Sequence, residues 1–208
     1  MNILRTFIIT ALGLALYPQG TLAAPSKSRP HSGDGILMIR TLPSLGNDPS
    51  GTLPLYREPG VERVAELKSH ELPSLAPVLQ GRGGEFPAAV TGKKGNWLHI
   101  IYDDAGREGW LESSRGWEYA TWNTFLKGRG VKVLPGLKKE FYRLRRDPSP
   151  AAPQLEALSR QKNLRIIEIR EDWALVLVDF TAYGWLRWRD GDGRFTISLD
   201  DRFDPQKH

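Results

Sequence analysis

The side chains that could perform acid–base or metal chemistry are few and scattered along the chain. None of the four histidines stands at metal-ligand spacing from another: His31, His70, His99 and His208. Two aspartate pairs occur, at residues 103–104 and 200–201. Adjacent residues on a strand point to opposite faces, so neither pair forms a catalytic dyad by itself.

The remaining motifs also predict turns rather than chemistry. The DGDG run at residues 190–193 lacks the third oxygen ligand and the later Glu of a calcium loop. The glycine-rich residues 81–84 lack the Lys-Ser/Thr of a phosphate-binding loop. The chain has no Cys, which removes thiol nucleophiles and disulfides. We therefore predict no enzyme, no cofactor and no metal; a hydrolase would need convergent His or carboxylate groups that the sequence does not show.

Tryptophan is the residue type whose spacing is informative. Three short motifs occur twice in the same order, which indicates a duplicated unit. Residues 55–59 (LYREP) correspond to 144–148 (LRRDP), 97–100 (WLHI) to 173–176 (WALV), and 109–112 (GWLE) to 184–187 (GWLR). The spacing between the first two motifs is longer in the first copy, which predicts an extra loop between residues 60 and 84.

Short strands must position these tryptophans. Residues 164–170 and 173–178 are β-rich runs separated by Glu171-Asp172, which predicts a hairpin. Residues 185–189 and 194–199 flank the DGDG turn and predict a second hairpin. Residues 36–42 predict one further strand.

One short helix is predicted between the two copies. Ser113 or Ser114 could cap it, and Gly128 and Gly130 would end it. Residues 114–127 are rich in aromatic side chains, so we expect this segment to pack between the two copies.

Strand alternation separates the tryptophans from the apolar interior. One face of each strand carries small and branched side chains, as at Leu98, Ile100, Ala174 and Val176. The opposite face carries the indoles, which can form the walls of a peptide groove. The predicted ligand-binding residues are Tyr56, Trp97, His99 and Trp110, with a second, weaker groove at Trp173 and Trp185. The alternative, that these tryptophans cover their own barrels or join the two units, stays open.

The order Leu-x-x-x-Pro, Trp-x-x-(Ile/Val) and Gly-Trp-Leu resembles bacterial SH3-like (SH3b) domains. The second copy carries it best, with Pro148, Asp172-Trp173 and Gly184-Trp185, although Asn163 stands where the family usually has Gly. The resemblance implies an all-β fold of two small SH3-like β-barrels with a short helical linker. It also implies binding of peptidoglycan peptides or of other proteins in the cell envelope.

The N-terminus predicts export. Arg5 precedes an uncharged apolar run at residues 6–17, followed by small residues. This run is shorter than the roughly 20 residues of a membrane span. We predict a signal peptide at 1–23, a flexible lead-in with one possible strand at 24–52, module 1 at 53–114, a linker at 115–136, module 2 at 137–199 and a tail at 200–208.

The charge balance bears on the partners. The formal net charge is +5, and basic residues cluster between residues 138 and 146. Such a cluster could hold an acidic partner, or it could be a solvated strand edge. For an exported chain we predict peptidoglycan or an envelope protein as partner, in the periplasm or outside the cell, with no nucleic acid and no stable membrane span after signal cleavage. A scaffolding protein with two fused modules is the alternative.

Overall fold

Short antiparallel strands account for most of the regular structure. The computed structural model describes residues 31–41, 51–75, 79, 83–159 and 162–200. The predicted signal peptide, most of the lead-in and nearly all of the tail lie outside these residues. Within the described part of the chain, no helix is long and apolar enough to cross a membrane.

The first sheet has seven strands in the order β3-β2-β6-β5-β4-β1-β7. These strands are β1 (Gly35–Arg40), β2 (Thr52–Glu58), β3 (Val61–Lys68), β4 (Glu85–Lys94), β5 (Trp97–Ile101), β6 (Glu108–Glu112) and β7 (Glu118–Thr121). A 3-10 turn, Ser69–Glu71, follows β3. The predicted strand at residues 36–42 is β1, and it lies inside the sheet between β4 and β7.

The second sheet also has seven strands, in the order β10-β9-β13-β12-β11-β8-β14. They are β8 (Gly130–Val133), β9 (Arg143–Arg145), β10 (Gln154–Ala157), β11 (Leu164–Arg170), β12 (Trp173–Val178), β13 (Ala182–Arg187) and β14 (Ile197–Leu199). A 3-10 turn, Lys139–Tyr142, precedes β9. The single α-helix among the described residues, α1 (Trp122–Leu126), connects the two sheets.

The two sheets have corresponding strand orders, because each strand of the first has its counterpart seven strands later. The prediction of an all-β protein with little helix is confirmed. Neither sheet is closed into a barrel by backbone hydrogen bonds, since no pairing joins the edge strands β3 and β7 or β10 and β14 in the described part of the chain. The closed two-barrel form therefore stays a prediction.

Several local predictions can be compared with the strands. The hairpin at Glu171-Asp172 is confirmed, with β11 and β12 on either side. The hairpin across residues 190–193 forms only in part: an isolated bridge joins Arg189 to Phe195, and β14 then pairs with β8. The extra loop of the first copy is shorter than residues 60–84, because β3 begins directly after the turn at Gly60 and pairs along β2. The added length lies between β3 and β4.

The helix begins later than predicted. Ser113 and Ser114 do not cap it, because β7 occupies residues 118–121 by pairing with β1. The hydroxyl of Thr121 accepts the N–H of Thr124 at 3.3 Å and caps α1 instead. As expected, the segment packs between the sheets, and α1 contacts β1 and β7 of the first and β11 of the second.

One apolar cluster joins the two sheets. Trp122 packs against Trp188 and Phe195 with ring centroids 5.8 and 5.0 Å apart, and both tryptophans are buried. Residues of both sheets, including Ile36, Ile101, Val131 and Ile166, belong to the same cluster. A second cluster, with Leu37, Leu55, Leu98 and Ile100, lies within the first sheet alone.

A buried arginine adds polar contacts to this junction. Arg189 is 4% exposed and pairs with Asp172 at 2.8 Å. It also donates to the Ser32 hydroxyl at 3.1 Å and to the Gly33 carbonyl at 2.8 Å. Because the N-terminal segment that bears Ser32 and Gly33 leads into β1, these bonds tie the first sheet to the second.

Candidate functional site

The outer face of β2, β5 and β6 carries four aromatic side chains. Antiparallel register places His99 opposite Trp110 and Trp110 opposite Tyr56, while Trp97 lies two residues from His99 on β5. Leu98, Ile100 and Leu111 alternate with them and are fully buried in the sheet's interior. The structure thus brings together the four predicted residues of the first copy, here called the aromatic face.

The rings of the aromatic face touch in pairs. Tyr56 and Trp97 meet edge to face, with centroids 5.3 Å apart. His99 and Trp110 are tilted by 31° at 4.7 Å. All four residues are half-buried, so part of this cluster reaches solvent. Such an arrangement offers a preformed apolar surface.

His99 is held by two polar neighbours that sequence reasoning missed. Its Nδ1 lies 3.0 Å from the Glu108 carboxylate and 3.1 Å from the Thr91 hydroxyl. The same hydroxyl donates to Glu108 at 3.1 Å. A carboxylate at Nδ1 accepts a hydrogen bond from a proton on that nitrogen, so in the neutral ring Nε2 is the free acceptor. Glu108 could have been found from the sequence, because it precedes Trp110 by two residues on the same face.

A groove adjoins the aromatic face. Strands β2 and β6 pair at Tyr56 and Trp110, and beyond this point they diverge. The groove has a volume of about 280 Å³ and is lined in part by Tyr56, Pro54, Glu112 and Trp117. Because Tyr56 belongs to both, the groove and the aromatic face form one continuous surface.

The far wall of the groove is fixed by hydrogen bonds. The indole N–H of Trp117 donates to the carbonyl of Arg40 at 3.0 Å. The guanidinium of Arg40 bonds to Glu118 at 2.9 Å and to Glu85 at 3.1 Å. These bonds, with Glu118 first, raise the pKa of Arg40 above its ordinary value. The wall is therefore ordered by contacts among β1, β4 and β7 before any ligand arrives.

The corresponding face of the second sheet differs. Register places Trp173 opposite Arg187 and Trp185 opposite Leu175. Trp185 is only 7% exposed, and the guanidinium of Arg170 lies 5.1 Å from its ring centroid. Arg145 pairs with Trp185 at the position that Tyr56 occupies in the first sheet. The structure therefore places Trp173 and Trp185 on one face, where Trp173 is half-buried, as Trp97 is, and Trp185 is buried.

Two exposed aromatic residues of the second sheet were not predicted. Phe180 is 63% exposed and Tyr183 is 59% exposed. Phe180 lies in the turn between β12 and β13, where both Asp179 and Phe180 have positive φ. The sequence gives no strong signal for this turn, because it lacks the glycine that such a backbone favours.

The acidic motifs serve as turns. The carboxylate of Asp103 bonds to the backbone and side chain of Arg107, and the backbone bond is the main cause of its lowered pKa. Asp190 accepts the N–H groups of Asp192 and Arg194, each at 2.9 Å. Across the part of the chain that the structure describes, no group of three or more His, Asp and Glu residues is placed to hold a metal.

Comparisons with known proteins place the chain in no family. No protein-family model matches it. No curated protein matches it. Among solved structures, a neighbour is NlpC1 from Trichomonas vaginalis, with 9% identity and a TM-score of 0.36 over 84% of this chain. The chain spans about half (49%) of that protein's length, and a likeness at this level supports no conclusion about fold or activity.

Proposed function

We propose that this protein is an exported, non-catalytic binding protein of the cell envelope that holds an extended peptide on the aromatic face. Peptides of peptidoglycan are the ligand that we favour. The observation that carries the proposal is the half-buried cluster of Tyr56, Trp97, His99 and Trp110 beside a groove.

Each part of the surface has a role in peptide binding. Flat, rigid indoles cover a large apolar area at low entropic cost, which suits Trp97 and Trp110. The Nε2 atom of His99 can accept a peptide N–H, since Nδ1 is occupied by Glu108. The groove beyond Tyr56 gives room for the peptide to continue along the diverging strands.

Two carboxylates beside the aromatic face favour a ligand with an amino group, while the guanidinium of Arg63 lies 6.0 Å from the Tyr56 ring centroid at its edge. Glu108 and Glu112 lie two residues before and two residues after Trp110 on β6 and therefore share its side of the sheet. Carboxylates beside aromatic rings attract ammonium groups by charge and by cation–π contact. Peptidoglycan stem peptides that carry a free amine would meet this requirement.

The proposal of two SH3-like modules rests on the repeat. The corresponding strand orders of the two sheets support it, as do the shared Leu, Trp and Gly-Trp landmarks. Export rests on the predicted signal peptide at residues 1–23. The absence of catalysis is likewise part of the proposal.

A calorimetric titration with soluble muropeptides tests the proposal. The mature protein should bind, and Trp97→Ala should reduce the affinity about tenfold or more, because a central aromatic anchor dominates such contacts. Trp173→Ala changes the corresponding residue of the second sheet and is the matched control. Equal affinity in both variants, or no binding by the wild type, would refute the aromatic face as the peptidoglycan site. If an extended protein segment binds there instead, the site stands and its ligand is a protein.

One observation favours a second function, that of a scaffold with two fused modules. Arg189 and the Trp122–Trp188 cluster join the two sheets through buried contacts. A rigid two-sheet body could present a fixed surface to a dedicated envelope protein. A co-purifying envelope protein, with no muropeptide binding, would support this alternative over the first.

A further inference from the structure

A second groove lies in the second sheet, well away in sequence from the aromatic face. The 3-10 turn Lys139–Tyr142 and the start of β9 form one side, and β10 forms the other. Its volume is about 510 Å³, within the range of ordinary small-ligand sites. Its lining includes Lys139, Tyr142, Arg143, Gln154, Leu158 and Ser159, and it is called the basic groove below.

The charge of the basic groove is of one sign. Lys139 and Arg143 are exposed cations that line it, and no Asp or Glu does. Neither cation forms an ion pair with any residue in the described ranges. The nearest acids along the chain are Glu140, in the same turn, and Asp147. Glu156 of β10 pairs with Leu144 in the strand register and lies 3.9 Å from Lys162.

The walls of the basic groove are held in place by hydrogen bonds. The hydroxyl of Tyr142 donates to the carbonyl of Leu134 at 2.7 Å and accepts the N–H of Leu137 at 3.3 Å. The N–H of Leu158 donates to the carbonyl of Tyr142 at 2.6 Å, which joins the turn to the end of β10. A site whose walls are fixed beforehand loses less entropy on binding.

We infer that the basic groove binds the carboxylate groups of an acidic peptide. Arg143 offers a planar fork of donors that matches a carboxylate, and Lys139 supplies a second positive charge. The side chains of Gln154 and Ser159 can pair with peptide amides, and buried Leu158 gives an apolar floor for aliphatic carbon. This mixed lining favours a peptide over a bare phosphate polymer, which would use only the cations.

The basic groove is separate from the proposed function. None of its residues belongs to the aromatic face, and the corresponding β2 residue of Arg143 in the repeat is Pro54, which has no charge. The second copy therefore has a cation at a position where the first copy has none. An acidic peptide could bind here whether or not muropeptides bind to Trp97.

The test uses a blocked tetrapeptide with two glutamates, its glutamine counterpart and inorganic phosphate as probes. The titrations are followed by the NMR chemical shifts of the backbone amides in the mature protein. The glutamate peptide should shift the amides of Leu158 and Ser159, and Lys139→Gln/Arg143→Gln should weaken its binding about tenfold or more, because charge-assisted hydrogen bonds are lost. Arg115→Gln/Lys127→Gln removes the same charge from exposed sites elsewhere and should leave the affinity unchanged.

The outcomes are distinct. Equal weakening by both double variants, equal binding of the glutamine peptide, or tighter binding of phosphate than of the glutamate peptide would each overturn the inference. Trp97→Ala should not alter the affinity for the glutamate peptide. A failure of the Trp97→Ala variant to bind muropeptides can thus be distinguished from a failure of the basic groove to bind the glutamate peptide. Circular dichroism of each variant establishes that it is folded.

Discussion

Gly184 lies directly against Leu144, so that a Cβ atom added to the glycine would stand 3.0 Å from the Cβ atom of the leucine. The first sheet has the same relationship between Gly109 and Leu55, at 3.2 Å. The Leu and Gly landmarks of the sequence repeat are therefore packing partners in both sheets. A side chain larger than hydrogen would require the facing leucine or its strand to shift by a few tenths of an ångström.

Gly184→Ala should lower the free energy of unfolding by about 1–3 kcal/mol, the usual effect of overpacking in a core. Gly92→Ala is the control, because its added Cβ would lie 3.5 Å from His99, an ordinary contact. Urea unfolding of both variants measures the difference. Equal stability of the two would mean that Leu144 can move aside.

Arg189→Met should lower the free energy of unfolding by about 3–5 kcal/mol, since it leaves the largely buried Asp172 without its cation. It also removes the bonds to Ser32 and Gly33. Arg115→Met, at an exposed site, should stay within about 0.5 kcal/mol of the wild type. Thermal unfolding compares them, and an unchanged midpoint for Arg189→Met would show that the junction depends on apolar contacts alone.

His99→Phe should keep the stacking on Trp110 but lose the acceptor at Nε2. Muropeptide affinity should fall about five- to tenfold, which corresponds to the free energy that a typical hydrogen bond contributes. The melting temperature should change little, because His99 is partly exposed. Calorimetry together with thermal unfolding separates these effects, and unchanged affinity would remove His99 from the site.

Phe180→Gly should raise the free energy of unfolding by about 0.5–1 kcal/mol. Asp179 and Phe180 have φ of 45° and 60°, a backbone that glycine adopts without the strain imposed by a Cβ. Phe180→Ala is the control, since it removes the exposed ring but keeps the Cβ. A gain of the same size in the alanine variant would assign the effect to the ring instead of the backbone.

Asp179→Asn should destabilise the protein at neutral pH but not in acid. The side-chain hydrogen bond from Lys162 lowers the pKa of Asp179 below 3.8 and raises that of Lys162 above 10.5. The carboxylate therefore stabilises the fold above pH 3.8, and this contribution is lost as the pH falls through the lower folded pKa. Urea midpoints of both proteins should converge as the pH falls through the folded pKa of Asp179, which lies below 3.8, and a constant difference would contradict the pair's role.

Much of the second sheet could be predicted from the sequence, since its signals are local. The alternation in residues 173–178 and the acidic turn at Glu171-Asp172 placed β11 and β12 correctly. The same alternation put Trp97, His99 and Trp110 on one face. Side-chain direction on a strand follows from its period of two, and this requires no knowledge of distant partners.

Exposure of the tryptophans could not be predicted in this way. Trp97 and Trp173 occupy corresponding positions in the repeat, as do Trp110 and Trp185. Only the structure shows that Trp185 is buried, with Arg170 over its ring, whereas Trp110 is half-buried. Exposure depends on which side chains arrive from neighbouring strands, and these are specified by register and bulges.

The sequence by itself determined the all-β character, the repeat and the sides of the strands on which the indoles lie. The tertiary structure alone decided that β14 leaves its hairpin to pair with β8, and that Ser32 meets Arg189 from 157 positions away along the chain. Periodicity acts over a few residues, whereas such contacts form only when the whole chain closes around a shared apolar cluster.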